Sequence, residues 1–306
     1  MGKPLLVVDA NIIYKHIEAE FGKKQTDIED CINILEEWFK TQPHLPEQPN
    51  RTLIRAFLFF NKFSIERCKE KLDMYYTIRN KLPEMFQYNP ASAEMIKNSK
   101  VSYIVPLPKL APDNRRIIFC KFSDQYGPED FDMEKYLCHI LNTFEVLMRE
   151  DLFLGSHFVV DAGSVKMGHV TKVNPMTLKK SSVIMEKVYT NRVASIHCIN
   201  FYPALETTMN IIKSIIPAKI AKRFHYHKNA EALFSIFPKS IIPSDIGGDE
   251  SSLDELNNRW IEKFGQYKDL FDKLGAMRVN ESLRPTRLVN DEVLGYYGNF
   301  KKLDVD

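Results

Sequence analysis

From about residue 100 onward, short β-branched and aromatic runs alternate with stretches of helical periodicity, an order that few folds accommodate. Val101 to Leu107 and Arg116 to Phe122 read as strands. The turn Ala111-Pro112-Asp113-Asn114 separates them, since Pro, Asp and Asn favour chain reversal. Asp132 to Glu150 reads as a helix and Ser156 to Asp161 as a strand. Asn174-Pro175 opens a further helix that runs to about Tyr189, with Pro at the first position, where its missing N–H is harmless. Val193 to Cys198 is the next strand, and another helix follows. This order predicts an α/β domain: a mixed, largely parallel sheet with covering helices that can enclose a pocket.

Upstream, residues 26 to about 88 carry helical spacing throughout. Thr26 and Glu29 make a capping-box pattern, and Ile28, Ile32, Leu35 and Phe39 follow on one face. Pro43 to Pro46 and Gln48-Pro49-Asn50 interrupt the chain before a second helix from about Thr52 to Phe60. Ser64 caps a third, with Ile65, Cys68, Leu72 and Tyr75 inward. The expected organisation is an N-terminal extension at 1–25, a small helical bundle at 26–90 and the α/β domain at 91–255. A C-terminal helix and tail occupy 256–306, and the chain is polar and poorly periodic beyond 276.

Composition limits the partners. Hydrophobic residues make up 44% of the 306, ample for a sizeable interior. With 42 Lys+Arg against 40 Asp+Glu, the chain lacks the basic excess of a general nucleic-acid binder. No apolar run approaches the roughly 18–20 residues that span a bilayer. Asp9 interrupts the short N-terminal apolar stretch, and Leu6 stands where myristoylation after Gly2 wants Ser or Thr. The cysteines (Cys31, Cys68, Cys120, Cys138, Cys198) form no Cys-x-x-Cys pair and read as reduced thiols. The expectation is a cytoplasmic monomer that meets membranes only peripherally and transiently.

The stretch from Arg192 to Gly248 carries the functional signal. Leu205, Thr208, Met209, Ile212, Ile215 and Ile216 recur at three- and four-residue steps, and Pro217 ends the helix. Lys219, Lys222 and Arg223 follow at once. Exposing five large apolar side chains costs on the order of 10 kcal/mol, at about 1.5–3 each, so such a helix stays shut in water. Against a bilayer the same face enters the interface, while cations meet anionic lipid at about 1 kcal/mol each.

Other chemistries find little support. Gly163 to Gly168 echoes a phosphate-binding loop, but His169 and Val170 stand where Lys and Ser/Thr are needed. There is no dinucleotide fingerprint and no nucleophile elbow. His225 and His227 would share one strand face, a placement that suits two metal ligands, yet no Cys or carboxylate sits at ligand spacing. Hydrogen-bonding histidines are the expected reading for them and for His197. The expectation is a protein without catalytic residues, metal or cofactor.

The order of motifs resembles the CRAL-TRIO lipid-binding family, in the branch of the α-tocopherol transfer and retinaldehyde-binding proteins as expanded in arthropods. Leu58, Lys62-Phe63-Ser64 and Cys68 to Leu72 resemble the family's preceding helical domain. Val159 to Gly163 resembles its central strand, with Gly one position early. Asn174-Pro175, Lys179-Lys180, Arg192, Ile196-His197 and Ile199-Asn200 match the helix and strand that follow, and Pro238 to Gly248 its closing signature. The resemblance implies a non-enzymatic carrier of one hydrophobic molecule, such as a retinoid, tocopherol, sterol-like lipid or other isoprenoid, gated by the 205–216 helix. It implies phosphoinositide contacts at Arg192, Lys219 and Arg223, although Ala194, Phe59 and Asn61 replace basic residues of that branch. Candidate pocket walls are Phe122, Val160, Val173, Ile184, Met185, Val188, Ile196 and Phe201, with Met209, Ile212 and Ile216 from the gate. The alternative is a phosphoinositide-sensing module that recruits a partner without moving lipid.

Overall fold

Five strands form one sheet in the order in which the chain makes them: β1 (Ser102–Leu110), β2 (Arg116–Phe122), β3 (Ser156–Asp161), β4 (Val193–Ile199) and β5 (Phe224–Tyr226). The computed structural model describes residues 4–189 and 192–286. β1 and β2 are antiparallel, because only a short turn joins them. Asn114 takes the left-handed conformation there (φ 62°), which Asn tolerates better than most residues. The remaining neighbours are parallel, and each crossover carries helix. These are α6 (Met133–Glu150), then α7 (Met167–Val170) with α8 (Pro175–Lys187), then α9 (Glu206–Ile215) with α10 (Ala218–Ala221). The sheet is mixed and mostly parallel, as the alternation predicts.

Ahead of the sheet stand α1 (Ala10–Phe21), α2 (Gln25–Lys40), α3 (Arg51–Phe60), α4 (Ile65–Lys81) and α5 (Ala93–Val101); behind it follow α11 (Leu253–Gln266) and α12 (Lys268–Ala276). α1 occupies the stretch read as an N-terminal extension. Its start is capped by Asp9, which accepts from Asn11 N–H, and Ile13 and Ile17 are fully buried. α2 begins before the expected Thr26, with the Asp27 carboxylate accepting Lys24 N–H at 2.8 Å. α3 follows expectation, Asn50 accepting Leu53 N–H at 2.8 Å. Ser64 occupies the N-cap of α4, but its side chain makes no cap hydrogen bond. The segment 277–286 packs rather than frays: Met277 and Val279 are buried, and Asn280 N–H donates to His44 C=O at 2.9 Å. Gly2 and the tail 287–306 lie outside the described residues.

A single apolar core runs from the N-terminal helices through the sheet to α11 and α12. Two buried charge clusters pin it. Arg116 is fully buried and grips Asp151 in a two-pronged pair at 2.7 and 2.8 Å, and its remaining donors reach the Leu107 and Pro108 carbonyls. Glu145 of α6 lies at the seam with α4. Its Oε1 accepts from Tyr75 Oη at 2.5 Å and Arg149 Nε at 2.9 Å, and its Oε2 from Tyr189 Oη at 2.9 Å and Arg79 Nη2 at 3.1 Å.

Strand register sorts side chains onto two faces. Phe158, Val160, Ile196, Cys198 and Phe224 share the face that meets α6, where Phe144 lies 6.2 Å from Phe158. His157, Val159, Ser195, His197, Ile199 and His225 share the other, against which Phe237 packs.

Candidate functional site

A second, smaller apolar cluster adjoins the main core through Phe158 and Val160, which pack against both. Val193, Ile196 and Cys198 of β4 are its buried centre, and Phe158, Val160, Phe201, Ile220 and Phe224 surround them. The alternation that puts every second residue of β3 and β4 on this face creates the floor. The roof is α9, which packs against α8 and connects through Pro217 to α10. Its start is tethered, since Tyr202 Oη donates to Val165 C=O at 2.7 Å. Its end is set by Ile216, which is extended (ψ 160°) as a residue before Pro must be. No residue within α9 is buried. Met209, Ile212, Ile215 and Ile216 are half-buried, and Ile211 is 46% exposed. A strongly amphipathic helix therefore covers an apolar floor without sealing into the core.

Of the expected wall residues, Val160, Ile196 and Phe201 come together in this cluster. Met209, Ile212 and Ile216 lie on the helix above. Ile184 and Val188 are fully buried members of the main core, and Met185 packs against it half-buried. Val173 is half-buried in the turn before α8. Phe122 sits elsewhere, stacked on His169 at 4.1 Å and edge-on to Phe131 at 4.9 Å. Phe158, Val193, Cys198, Ile220 and Phe224 belong to the cluster but are absent from the sequence-derived wall. A stricter period-two reading of β3 and β4 reaches Phe158 and Cys198; Val193 lies beyond the register shift at the start of β4, and Phe224 is on β5.

The cationic positions differ from one another. Arg192 is bound to Glu20 of α1 at 2.6 Å and lies over the Phe21 ring. Burial raises the Glu20 carboxyl, but the Arg192 hydrogen bond and charge, with His16, outweigh it and hold it below its usual range. Lys219 and Lys222 are exposed and Arg223 half-buried; among the described residues none has a carboxylate partner. Because α10 is a single turn ending at Ala221, Lys222 and Arg223 lie beyond it rather than along a helical face. Lys213 of α9, missing from the sequence reading, sits 4.6 Å from the Tyr226 ring centre and 5.5 Å from that of Phe224, roofing β5 with its charge.

The two ends of the region are fixed by turns. The Asp161 carboxylate accepts from Gly163 N–H at 3.0 Å and Asn200 Nδ2 at 2.9 Å, joining the ends of β3 and β4 beside the entry to α9. Pro243 to Gly248 closes on itself, Gly247 taking φ 88° and Gly248 N–H donating to Pro243 C=O at 3.0 Å. A separate cleft of about 590 Å3, lined by Tyr14, Gln25, Thr26, Ile28, Glu29 and Asp30, is built from α1 and α2 alone and takes no part in the sheet face. Among the described residues no three His, Cys, Asp or Glu converge as metal ligands, and no helix is long and apolar enough to cross a membrane.

Comparison with known proteins matches residues 100–248, which hold the sheet, the roof and the closing turn, to the CRAL/TRIO domain. The chain carries a CRAL/TRIO domain. Residues 24–95 match the Pinta-like, UBA domain model. The alpha-tocopherol transfer protein-like proteins of Mus musculus and Homo sapiens are 25% and 26% identical over 265 and 219 residues, covering 82% and 70% of this chain. This chain spans 75% of the mouse relative and 63% of the human one. The crystal structure of Sfh5 aligns with a TM-score of 0.48 and 11% identity, over 88% of this chain and 99% of that one.

Proposed function

We propose that this chain binds one hydrophobic lipid on the apolar floor of β3, β4 and β5 beneath α9, and exchanges it at membranes by moving α9. The observation that carries the reading is the small apolar cluster around Ile196, joined to the main core through Phe158 and Val160 and roofed by a helix none of whose residues is buried. A crossover helix packed fully on its sheet buries its apolar stripe. This one leaves Met209, Ile212, Ile215 and Ile216 half-buried and Ile211 46% exposed, apolar surface that a lipid below or a bilayer above would cover. The tocopherol-transfer names of the relatives support the class of cargo. Extraction of the purified chain with organic solvent, followed by mass spectrometry, should yield about one hydrophobic molecule per chain, transferable between vesicles. A dry interior with no transferable lipid refutes the reading. Ile212→Asp should slow transfer roughly tenfold or more while leaving the fold intact, since an anion entering the interface costs about 1–3 kcal/mol.

The unpaired cations favour a second component, contact with anionic head groups such as phosphoinositides. Lys219→Glu with Arg223→Glu should weaken binding to anionic vesicles by about 1 kcal/mol or more per site. Arg192 contributes less, because Glu20 already neutralises it. If the double reversal abolishes vesicle binding and leaves transfer untouched, the chain senses lipid head groups as a recruitment module rather than exchanging cargo through them.

A further inference from the structure

The face of the sheet opposite the proposed lipid floor carries chemistry that cargo binding leaves unused. Asp113 Oδ2 lies 2.9 Å from His157 Nε2, and His157 Nδ1 lies 2.6 Å from Ser195 Oγ. Ser195 Oγ lies 2.8 Å from His197 Nε2, and His197 Nδ1 lies 3.0 Å from His227 Nε2. The His225 ring stacks on His197 at 5.1 Å. Phe237 covers His157 and His197 edge-on at 5.2 and 5.6 Å. His157, Ser195 and His197 are buried, His227 is half-buried and His225 exposed. One hydrogen-bonded row thus runs from the β1–β2 turn to the last strand of the sheet.

The carboxylate end fixes the direction of every bond in the neutral row. Asp113 only accepts, so the His157 proton is on Nε2. Ser195 then donates to His157 Nδ1 and accepts from His197 Nε2–H, and His227 Nε2–H donates to His197 Nδ1. The outer lone pair is His227 Nδ1. A proton arriving there can be absorbed without losing a bond if every link reverses. His197 then donates to His227 Nε2, Ser195 donates to His197 Nε2, and His157 donates from both nitrogens, to Ser195 Oγ and to Asp113. One proton enters, one positive charge results, and it rests on His157 against the Asp113 carboxylate.

A second proton has no such partner. The charged and titratable groups facing the row are Asp113 and Arg115 from the β1–β2 turn, His157 from β3, His197 from β4, and His225 and His227 from β5 and the residue after it; the covering Phe237 is apolar. It must sit among His197, His225 and His227, which lie against one another. Burial first, then the charges of His225, His227 and His157, push His197 from 6.5 down to about 4, and burial and His225 lower His227. Both depressed groups make the paired arrangement favourable above pH about 6.5 and progressively less so as pH falls, because the detached state takes up protons first.

β5 is the element placed to respond. It has three residues, with Phe224 on the floor and His225 on the row. It pairs with β4 over three residues, and Ile196 N–H to Arg223 C=O at 2.9 Å, His227 N–H to Cys198 C=O at 2.9 Å and Phe201 N–H to His227 C=O at 3.0 Å flank the strand. It also anchors the far end of the α9–α10 roof. We propose that the histidine row is an acid switch on that roof: the first proton is stored beside Asp113, and the second drives β5 off β4, freeing α9 and α10 to release cargo. This rests on the proposed role of α9.

Amide hydrogen exchange of the full chain tests the switch without any lipid. Protection at residues 224–227, corrected for intrinsic exchange, should fall roughly tenfold more than protection in β3 between about pH 7.5 and about pH 5. His225→Asn with His227→Gln should abolish that excess. Asp113→Asn keeps the acceptor but removes the stored charge's partner, and should move β5 opening to higher pH. In parallel, transfer of a fluorescent α-tocopherol to phosphatidylcholine vesicles should speed up in acid in the natural chain and not in the double variant. β5 protection that is indifferent to pH, or an acid response unchanged in the double variant, overturns the switch while leaving carriage intact. Acid opening of β5 in a chain that never takes up the probe supports the switch and overturns the carrier reading instead.

Discussion

Glu145→Gln is the sharpest test of what joins the helical part to the α/β part. Glu145 is 1% exposed and Arg79 3%, so water can replace neither. Each carboxylate oxygen takes one tyrosine and one arginine: Tyr75 and Arg149 on Oε1, Tyr189 and Arg79 on Oε2. Glutamine fits the same volume but turns one oxygen into an NH2. A tyrosine hydroxyl can rotate to accept from it, whereas an arginine has no acceptor. Whichever way the amide faces, one guanidinium loses its bond and both lose their counter-charge. Uncovering a buried charge in this way costs about 3–5 kcal/mol. Arg149 retains some solvent contact, which favours the lower end, about 3 kcal/mol. Trp38 on α2 and Trp260 on α11 report the two parts separately in urea unfolding. The midpoint should drop by about 1 M at a slope near 3 kcal/mol per M. Burial raises the Glu145 carboxyl, but Arg149, Arg79 and the Tyr75 bond together pull it below its ordinary 4.5. Its contribution is therefore complete above about pH 4.5 and lost as pH falls through the lowered value. The gap between natural and variant chains should stay constant at neutral pH and close only in strong acid. A loss under about 1 kcal/mol, or a gap already closing at pH 6, refutes the assignment of Glu145 as the counter-ion.

Two further substitutions follow from local geometry. His139 is 1% exposed with no partner for either ring nitrogen among the described residues, and burial alone lowers it from 6.5 to about 4. His139→Leu should raise stability by about 1–3 kcal/mol. It should also flatten the decline between pH 6.5 and about 4, where the unfolded chain protonates this residue and the folded one does not, as read by thermal melts across pH. A Cβ on Gly248 would lie 2.0 Å from the Ile242 carbonyl oxygen, so Gly248→Ala should cost about 2–4 kcal/mol. Gly265→Ala on α11, where nothing lies within 4 Å, should gain about 0.5 kcal/mol in the same melts.

The strand–helix alternation made the sheet legible in advance, since β2, β3 and α6 fall where periodicity puts them. α1 was concealed by its small footprint: only Ile13 and Ile17 bury, although Asp9 supplies a visible cap. α5 was missed although Ser92 caps it, because its apolar pattern is short and merges into β1. β5 has three residues, and the His225/His227 alternation hints at a strand that only pairing with β4 defines. The roof helix was legible as an amphipathic segment, but its incomplete burial depends on what lies beneath. Long-range pairs were out of reach altogether. Arg192 meets Glu20 across 172 positions, and that contact ties a candidate head-group ligand, just before β4, to α1.

The sheet's strands stand in chain order, and this bears on how the protein is made. Each new parallel strand leaving the ribosome docks on an edge already present, so the sheet can lengthen vectorially without threading or insertion. β1 is the exception to this economy. Val7 N–H covers one end of its outer side, donating to Pro108 C=O at 2.7 Å, and α11 finishes the rest through Trp260 Nε1–H to Pro106 C=O at 3.0 Å and Tyr103 to Asp254, some 150 residues later. The first strand synthesised thus waits for nearly the last helix. During that interval a nascent chain displays a partly open strand edge, the kind of surface that holdase chaperones recognise and that a truncation before α11 would leave exposed.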